Sequence, residues 1–221
     1  MIAKPNSRGF TLLELLIVMF IIGVLTMIIV VNFNRGDKTQ DLRSTSTQLI
    51  QSIRLAQGYS TGGNSLFFCG LGATQHAYER CANDAYCGGA VNSCTDAVPP
   101  GGYGVHFGAP YSYTLFGNTN TAENYFSVVD PLIFQADTLP THVGMIAYRI
   151  GGVTHAAEVD SLDIVFIPPT GTISFFVGAL PDASTQVDLL MKHQEIDTIC
   201  RIISVNRASN QISESQGGCT F

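Results

Sequence analysis

The chain has 221 residues, 46% of them hydrophobic and 13% charged, about half the charged share of an average soluble protein. Thirteen Phe and eight Tyr exclude a disordered or collagen-like chain. Net charge is −6, and residues 59–221 carry five Lys/Arg (Arg80, Arg149, Lys192, Arg201, Arg207) against fourteen Asp/Glu, a balance of −9. That field argues against a general nucleic-acid-binding face and leaves room for a local Arg pair. A mean hydropathy of +0.24 fits either a uniformly apolar chain or one apolar segment joined to an ordinary domain.

The first predicted element decides between them. From Leu15 to Val31 seventeen residues carry no charge, and Phe10 to Phe33 is a 24-residue stretch holding one acid, Glu14. At about 1.5 Å per residue such a helix is roughly 36 Å long, enough to cross a bilayer core. A secretory signal has a shorter apolar run followed by a small-x-small cleavage site. Here Asn32-Phe33-Asn34-Arg35 follows instead, which predicts a retained membrane helix. Lys4 and Arg8 precede the segment, and Arg35, Lys38 and Arg43 follow it, so counting basic residues leaves orientation open. The cysteines at 69, 81, 87, 94, 200 and 219 all lie beyond the helix. An even count in a Gly-rich region predicts disulfides and an oxidising compartment. The N-terminus is therefore expected in the cytoplasm.

Glu14 is the anomaly of the segment. An intramembrane acid costs about 2.5–3.5 kcal/mol on insertion scales and by default marks function. Snorkelling to the headgroups is the bland alternative, but it does not explain why a long apolar run follows at once.

Arg8-Gly9-Phe10-Thr11-Leu12-Leu13-Glu14, followed by Leu15-Leu16-Ile17-Val18, resembles the N-terminus of a type IV prepilin or pseudopilin with a short basic leader. The resemblance implies removal of residues 1–9 by a membrane prepilin peptidase that cuts after Gly9. It implies N-methylation of Phe10 by the same enzyme. It also implies that Glu14 pairs with the amino group at Phe10 of a neighbouring subunit, which supplies the partner the buried acid requires. Other pilin or pseudopilin subunits and an inner-membrane assembly platform are the further partners implied. Major pilins commonly carry a Pro near positions 30–31; Val30 and Val31 stand here, which is more like a pseudopilin or minor pilin. Gly23 and Thr26 are small enough for close helix–helix approach.

Residues 34–58 read as an amphipathic continuation, with Leu42, Thr45, Leu49, Ile53 and Ala56 on one face at three- and four-residue steps. Gly58 and then Gly62-Gly63 are expected to end the helix, and Asn34-Arg35-Gly36 to bend or interrupt it. A helix over 10–57 would be about 72 Å long. Residues 59–101 form a Cys-rich loop region spaced C-x11-C-x5-C-x6-C. This spacing lacks the closely paired knuckles of a zinc site. Three pairings are open among its four cysteines, and sequential Cys69–Cys81 and Cys87–Cys94 is the expectation taken. Cys200 and Cys219 are expected to close a third bridge, contributing about 3 kcal/mol in the chain-entropy account.

Residues 102–221 alternate β-like runs with turn signals: Tyr103–Phe107, Tyr113–Phe116, Tyr125–Val129, Val143–Ile150, Leu162–Ile167, Thr172–Val177, Val187–Met191 and Ile199–Val205. Pro168-Pro169-Thr170-Gly171 reads as a tight hairpin and Asn206–Asn210 as a further turn. The expected fold is α+β: a long N-terminal helix, half in a membrane or filament core, packed on an antiparallel β-sheet head. Phe166, Pro168, Gly171, Arg201, Ile203 and Val205 resemble the C-terminal strands of minor pseudopilins and FimT-like minor pilins, although Asn206-Arg207 stands where those have a Gly. FimT-like proteins are associated with DNA uptake, so Arg201 and Arg207, the late basic pair, are the candidate contacts for DNA. The acidic balance makes nucleic acid the weaker ligand.

Several motifs carry no chemistry in context. Gly58-Tyr59-Ser60-Thr61-Gly62 matches G-x-S-x-G, but a nucleophile elbow needs a strand before and a helix after it, and here a helix precedes. Arg35-Gly36-Asp37 is an integrin-type triplet that a filament would shield. His76, His106, His142, His155 and His193 lack metal-site spacing. Glu158, Asp160 and Asp163 are the densest acidic cluster, readable as a Ca²⁺ loop or, more simply, as a solvated face. No enzyme, cofactor or metal is predicted. The expected chain is a structural subunit of a type IV pilus or a secretion pseudopilus. It would sit single-pass in the inner membrane before assembly and in a periplasmic or extracellular filament afterwards. The alternative is a tip-located minor pilin that binds a surface, a secreted substrate or DNA.

Overall fold

A computed structural model of the chain describes residues 11–69, 81–88, 93–119, 125–127, 137–140, 142–196 and 198–221, with the side chains of 28–35, 109, 137 and 138 outside that set. The leader expected over residues 1–9, Phe10 and His76 lie outside the described residues. The chain divides into two compact units, Met1–Gln40 and Asp41–Phe221.

One helix, α1 (Leu12–Gly62), crosses from the first unit into the second. Thr11 starts it: its carbonyl accepts the Glu14 and Leu15 N–H groups at 3.1 and 3.3 Å, and its Oγ1 accepts the Glu14 N–H at 3.3 Å. This is N-cap chemistry, satisfying donors that have no partner inside the helix. Neither Asn34-Arg35-Gly36 nor Gly58 interrupts the helix. The stop expected at Gly58 therefore falls four residues later, at Gly62, with Gly63 at φ +61° supplying the left-handed exit. The last turn persists because it is packed: Ser60 is fully buried, and the Tyr59 ring lies 5.5 Å from that of Tyr103. Tertiary burial outweighs the helix cost of one glycine, about 1 kcal/mol.

The two halves of α1 bury different surfaces. Leu42, Thr45, Leu49, Ile53 and Ala56 are 0–2% exposed and line the head core. In the first unit, the large apolar side chains between Leu12 and Met27 are each 46–82% exposed. They surround the helix on all sides, a pattern proper to a helix buried in protein or lipid. Among the described residues no helix is long and apolar enough to cross a membrane; the side chains of residues 28–35 fall outside them.

The head holds thirteen described strands. A two-stranded ribbon pairs β1 (Leu66–Cys69) with β2 (Cys94–Ala97). The remaining strands in chain order are β3 (Gly102–Ala109), β4 (Ser112–Asn118), β5 (Asp137–Thr138), β6 (Val143–Ile150), β7 (Val153–Ala156), β8 (Leu162–Ile167), β9 (Thr172–Val177), β10 (Leu180–Asp182), β11 (Gln186–His193), β12 (Cys200–Asn206) and β13 (Gln211–Gly217). They form two antiparallel sheets, not the single sheet expected: β10-β9-β8-β3-β4-β5 and β13-β12-β11-β6-β7. The result is an α+β pilin-like arrangement, an N-terminal helix followed by antiparallel sheets.

The split into two sheets has a packing cause. Tyr103, Val105, Ile164 and Phe175 of the first sheet share one core with Met145, Leu189, Ile203 and Val205 of the second and with α1. Both inner faces are thereby buried. The six-stranded sheet also has a covered outer face, where Phe116, Val165 and Phe176 meet Tyr125 and Phe126. The run expected as a strand over 125–129 is corrected here. Its described part, residues 125–127, is irregular and acts as a cap. The Phe126 ring stacks 4.3 Å from His106 and its N–H donates to Asp163 at 3.1 Å. The Pro168–Gly171 turn joins β8 to β9 with Ile167 opposite Thr172, and the turn to Asn210 joins β12 to β13 with Asn206 opposite Gln211.

The expected sequential disulfides are also corrected. The bridges are Cys69–Cys87 and Cys81–Cys94, which interleave, together with Cys200–Cys219. The ribbon register sets Cys69 opposite Cys94, and the sulfurs of Cys69, Cys81 and Cys87 lie within 4.8 Å of one another. With three sulfurs so close, side-chain aim decides the pairing, and spacing along the chain does not report it.

Candidate assembly and processing site

The N-terminal site is built on the first turn of α1. Thr11 and Glu14 stand in the T-x-x-E relation of a capping box. Glu14 is thus the third helical residue, at the positive end of the helix dipole. Its carboxylate is exposed in a surface that is otherwise apolar from Leu12 to Met27. An ionised carboxylate in an apolar surround is costly, and a cation set against it offsets that cost. Gly23 leaves open space where a side chain would stand. The Thr26 hydroxyl donates to the Ile22 carbonyl at 2.7 Å, so that hydroxyl needs no partner from another helix. Gly9 and Phe10 lie outside the described residues.

Residues 4–30 match the family model of the prokaryotic N-terminal methylation motif. The chain carries the N-terminal signature of the type IV prepilins and pseudopilins. The motif implies processing by a prepilin peptidase and assembly with other pilins, and it supports a membrane-anchored pilin later built into a filament. It indicates a structural subunit more than an enzyme. No curated protein and no solved structure matches the chain.

The other residues singled out from the sequence are dispersed in the head. Arg201, on β12, is 15% exposed and pairs with Glu214 of β13 at 3.4 Å; its Nε is buried without a partner. Arg207 lies in the following turn, where its N–H donates to the Thr185 carbonyl at 2.7 Å. Six residues along the chain set the two guanidinium-bearing positions about 20 Å apart. Among the described residues Glu158, Asp160 and Asp163 form no group that could hold one ion, and the solvated-face reading is corrected at Asp163. Asp163 is 1% exposed and bound to His106 Nδ1 at 2.5 Å, Asp160 pairs with His155 at 2.9 Å, and Glu158 is exposed. The two His–Asp pairs are structural fasteners: His106 holds the 125–127 cap, and His155 stacks 5.0 Å from the buried Tyr148 ring. Ser60 of the G-x-S-x-G match lies inside α1, buried and without a hydrogen-bond partner.

Sequence reasoning missed a buried charge held by several partners. Asp188 on β11 accepts from Arg149 at 2.9 Å, Gln186 at 2.7 Å and Ser204 at 2.6 Å. Burial pushes this carboxyl up, but the three hydrogen bonds and the Arg149 charge outweigh it and hold the group below its ordinary 3.8. The Arg149 guanidinium lies 4.8 Å from the centre of the Phe221 ring, tying the C-terminus to the same network. An acid in the middle of the apolar run Val187–Met191 was the available signal. Burial also pushes the Tyr103 phenol up to about 12, where its O–H donates to the Asn64 carbonyl just past the end of α1.

Proposed function

We propose that the chain is a structural subunit of a type IV pilus or a type II secretion pseudopilus, made as an inner-membrane precursor with its N-terminus in the cytoplasm. Hydrolysis of the Gly9–Phe10 peptide bond removes the leader and frees the Phe10 amine, which then loses a proton and takes a methyl group from a separate methyl-donor cosubstrate of the peptidase. The helix over residues 10–33 holds the precursor in the bilayer. On assembly the same apolar surface transfers from lipid to neighbouring helices, with no net loss of burial. Glu14 of one subunit meets the cationic amine of another, and this contact sets the axial register. A pair formed in an apolar core fixes position sharply, because leaving either charge alone there costs about 3–5 kcal/mol.

The single observation behind this reading is one acid in a helix that is otherwise apolar on every side from Leu12 to Met27. N-terminal mass spectrometry of sheared filaments tests it: the expected mature chain starts at a methylated Phe10, and assembled chains that still begin at Met1 overturn the reading.

A second reading, a binding module at the filament tip, is favoured by the ribbon. Two interleaved disulfides hold β1, β2 and residues 81–88 together, while Phe67 and Tyr86 are 54% and 42% exposed. A rigid aromatic surface suits recognition of a cell surface or a secreted protein. Binding of the full chain to such targets, lost in Phe67→Ala/Tyr86→Ala, is the expected result. Equal binding by that variant removes this reading and leaves the structural one intact.

A further inference from the structure

The head is acidic, yet one of its grooves is not. Between the C-terminal part of α1 and β13 lies a groove of about 620 Å³, lined among others by Arg54, Gln57, Thr61, Gln211, Ile212 and Ser213, with no acid in its wall. Arg54 is exposed, and its described hydrogen bond is a long donation, 3.4 Å, to the Ile212 carbonyl. Arg54 lines the groove, and the other donors of its guanidinium make no hydrogen bond among the described residues. Gln211 and Ser213 are exposed beside it. A lone cation ringed by neutral donors selects a carboxylate. Residues 41–221 hold fifteen acids and seven bases, so copies of this head repel one another unless such contacts offset the repulsion.

A matching carboxylate sits on the opposite edge of the same sheet. β13 and β7 are the two edges of the five-stranded sheet, four strand spacings or about 19 Å apart. The turn after β7 is fixed by two N–H donations to the Ala156 carbonyl, from Val159 at 3.1 Å and Asp160 at 3.3 Å, and by the Asp160–His155 pair. It holds Val159 79% exposed and Glu158 exposed beside it, without a partner among the described residues. From this geometry we infer that the Arg54 groove of one subunit receives the Glu158–Val159 turn of a second copy. The contact rests on the reading of the chain as a filament subunit and says how successive heads engage. Donor and acceptor lie on different edges, so the contact is head-to-tail, and contacts of that kind propagate as open helices instead of closing into dimers.

Charge exchange tests the contact in cells that assemble the full-length chain, with sheared filaments quantified. Arg54→Glu and Glu158→Arg are each expected to lower filament yield roughly tenfold, the effect of a contact worth ~1.4 kcal/mol. The double variant is expected to recover most of the yield, because it restores the pair with its polarity reversed. Glu158 is exposed, so its variant keeps a folded head, checked by an unchanged melting temperature. Wild-type yield from Glu158→Arg, or a double variant no better than the worse single one, overturns the contact. Glu14→Ala run alongside separates the two ideas. Assembly lost with Glu14→Ala but normal with Glu158→Arg removes the head contact alone. A wild-type chain recovered only as unprocessed monomer removes the filament reading and the contact with it.

Discussion

The two halves of α1 are equally helical and do opposite things. Between Leu12 and Met27 the large apolar side chains are exposed all round, and the one charge among them is Glu14. Between Leu42 and Ser60 a single stripe is buried, and Ser, Thr, Gln and Arg take the other faces. The comparison teaches that helix formation is not what distinguishes them. The second half completes its burial within its own chain. The first half carries a surface that one subunit leaves uncovered, and so makes assembly or a membrane a thermodynamic requirement.

The sharpest way to break this contrast is Glu14→Ala. Filament yield is expected to fall by roughly two orders of magnitude or more, from an unpaired amine costing about 3–5 kcal/mol, while the melting temperature of the head stays unchanged. A head destabilised by this change would show that the first half serves folding after all. Leu49→Ala or Ile53→Ala makes the reciprocal cut: both residues are fully buried, and a loss of about 2–5 kcal/mol in head stability by denaturant titration is expected.

Next in size is Cys69→Ala/Cys87→Ala, with an expected loss of about 3 kcal/mol from opening the loop between them. Peptide mapping under non-reducing conditions checks the connectivity directly and should recover Cys69–Cys87 and Cys81–Cys94 cross-linked peptides. Smallest is the Asp188 network. The Asp188 carboxyl is lowered in the folded state, so its contribution is fully present above the unfolded value of 3.8 and is lost as pH falls through the lower folded value. Asp188→Asn should cost about 1–3 kcal/mol at neutral pH and flatten the stability profile below about pH 4, as read by thermal melts across pH.

Legibility from the sequence followed the range of the interactions. Leu42, Thr45, Leu49, Ile53 and Ala56 could be read because a helix converts spacing into a face without reference to anything else. The β8–β9 hairpin could be read because Pro168–Gly171 is a local turn signal. β13 escaped because Gln211–Gly217 has almost no apolar alternation: it is held by pairing with β12, and on α1 Ser46 donates to Glu214 at 2.6 Å. β7 and β10 escaped because four and three residues carry too little pattern to register.

The sequence by itself determined the apolar first half of α1, the isolation of Glu14 and the α+β class, since each follows from the order of residue types along a short stretch of chain. Only the tertiary structure decided that the strands part into two sheets, that the first four cysteines interleave, that Arg201 belongs to Glu214, and that Arg54 and Glu158 mark opposite edges of one head. These depend on which side chains meet across tens to hundreds of residues. Such meetings are settled by the burial of a shared core, and no local spacing encodes them.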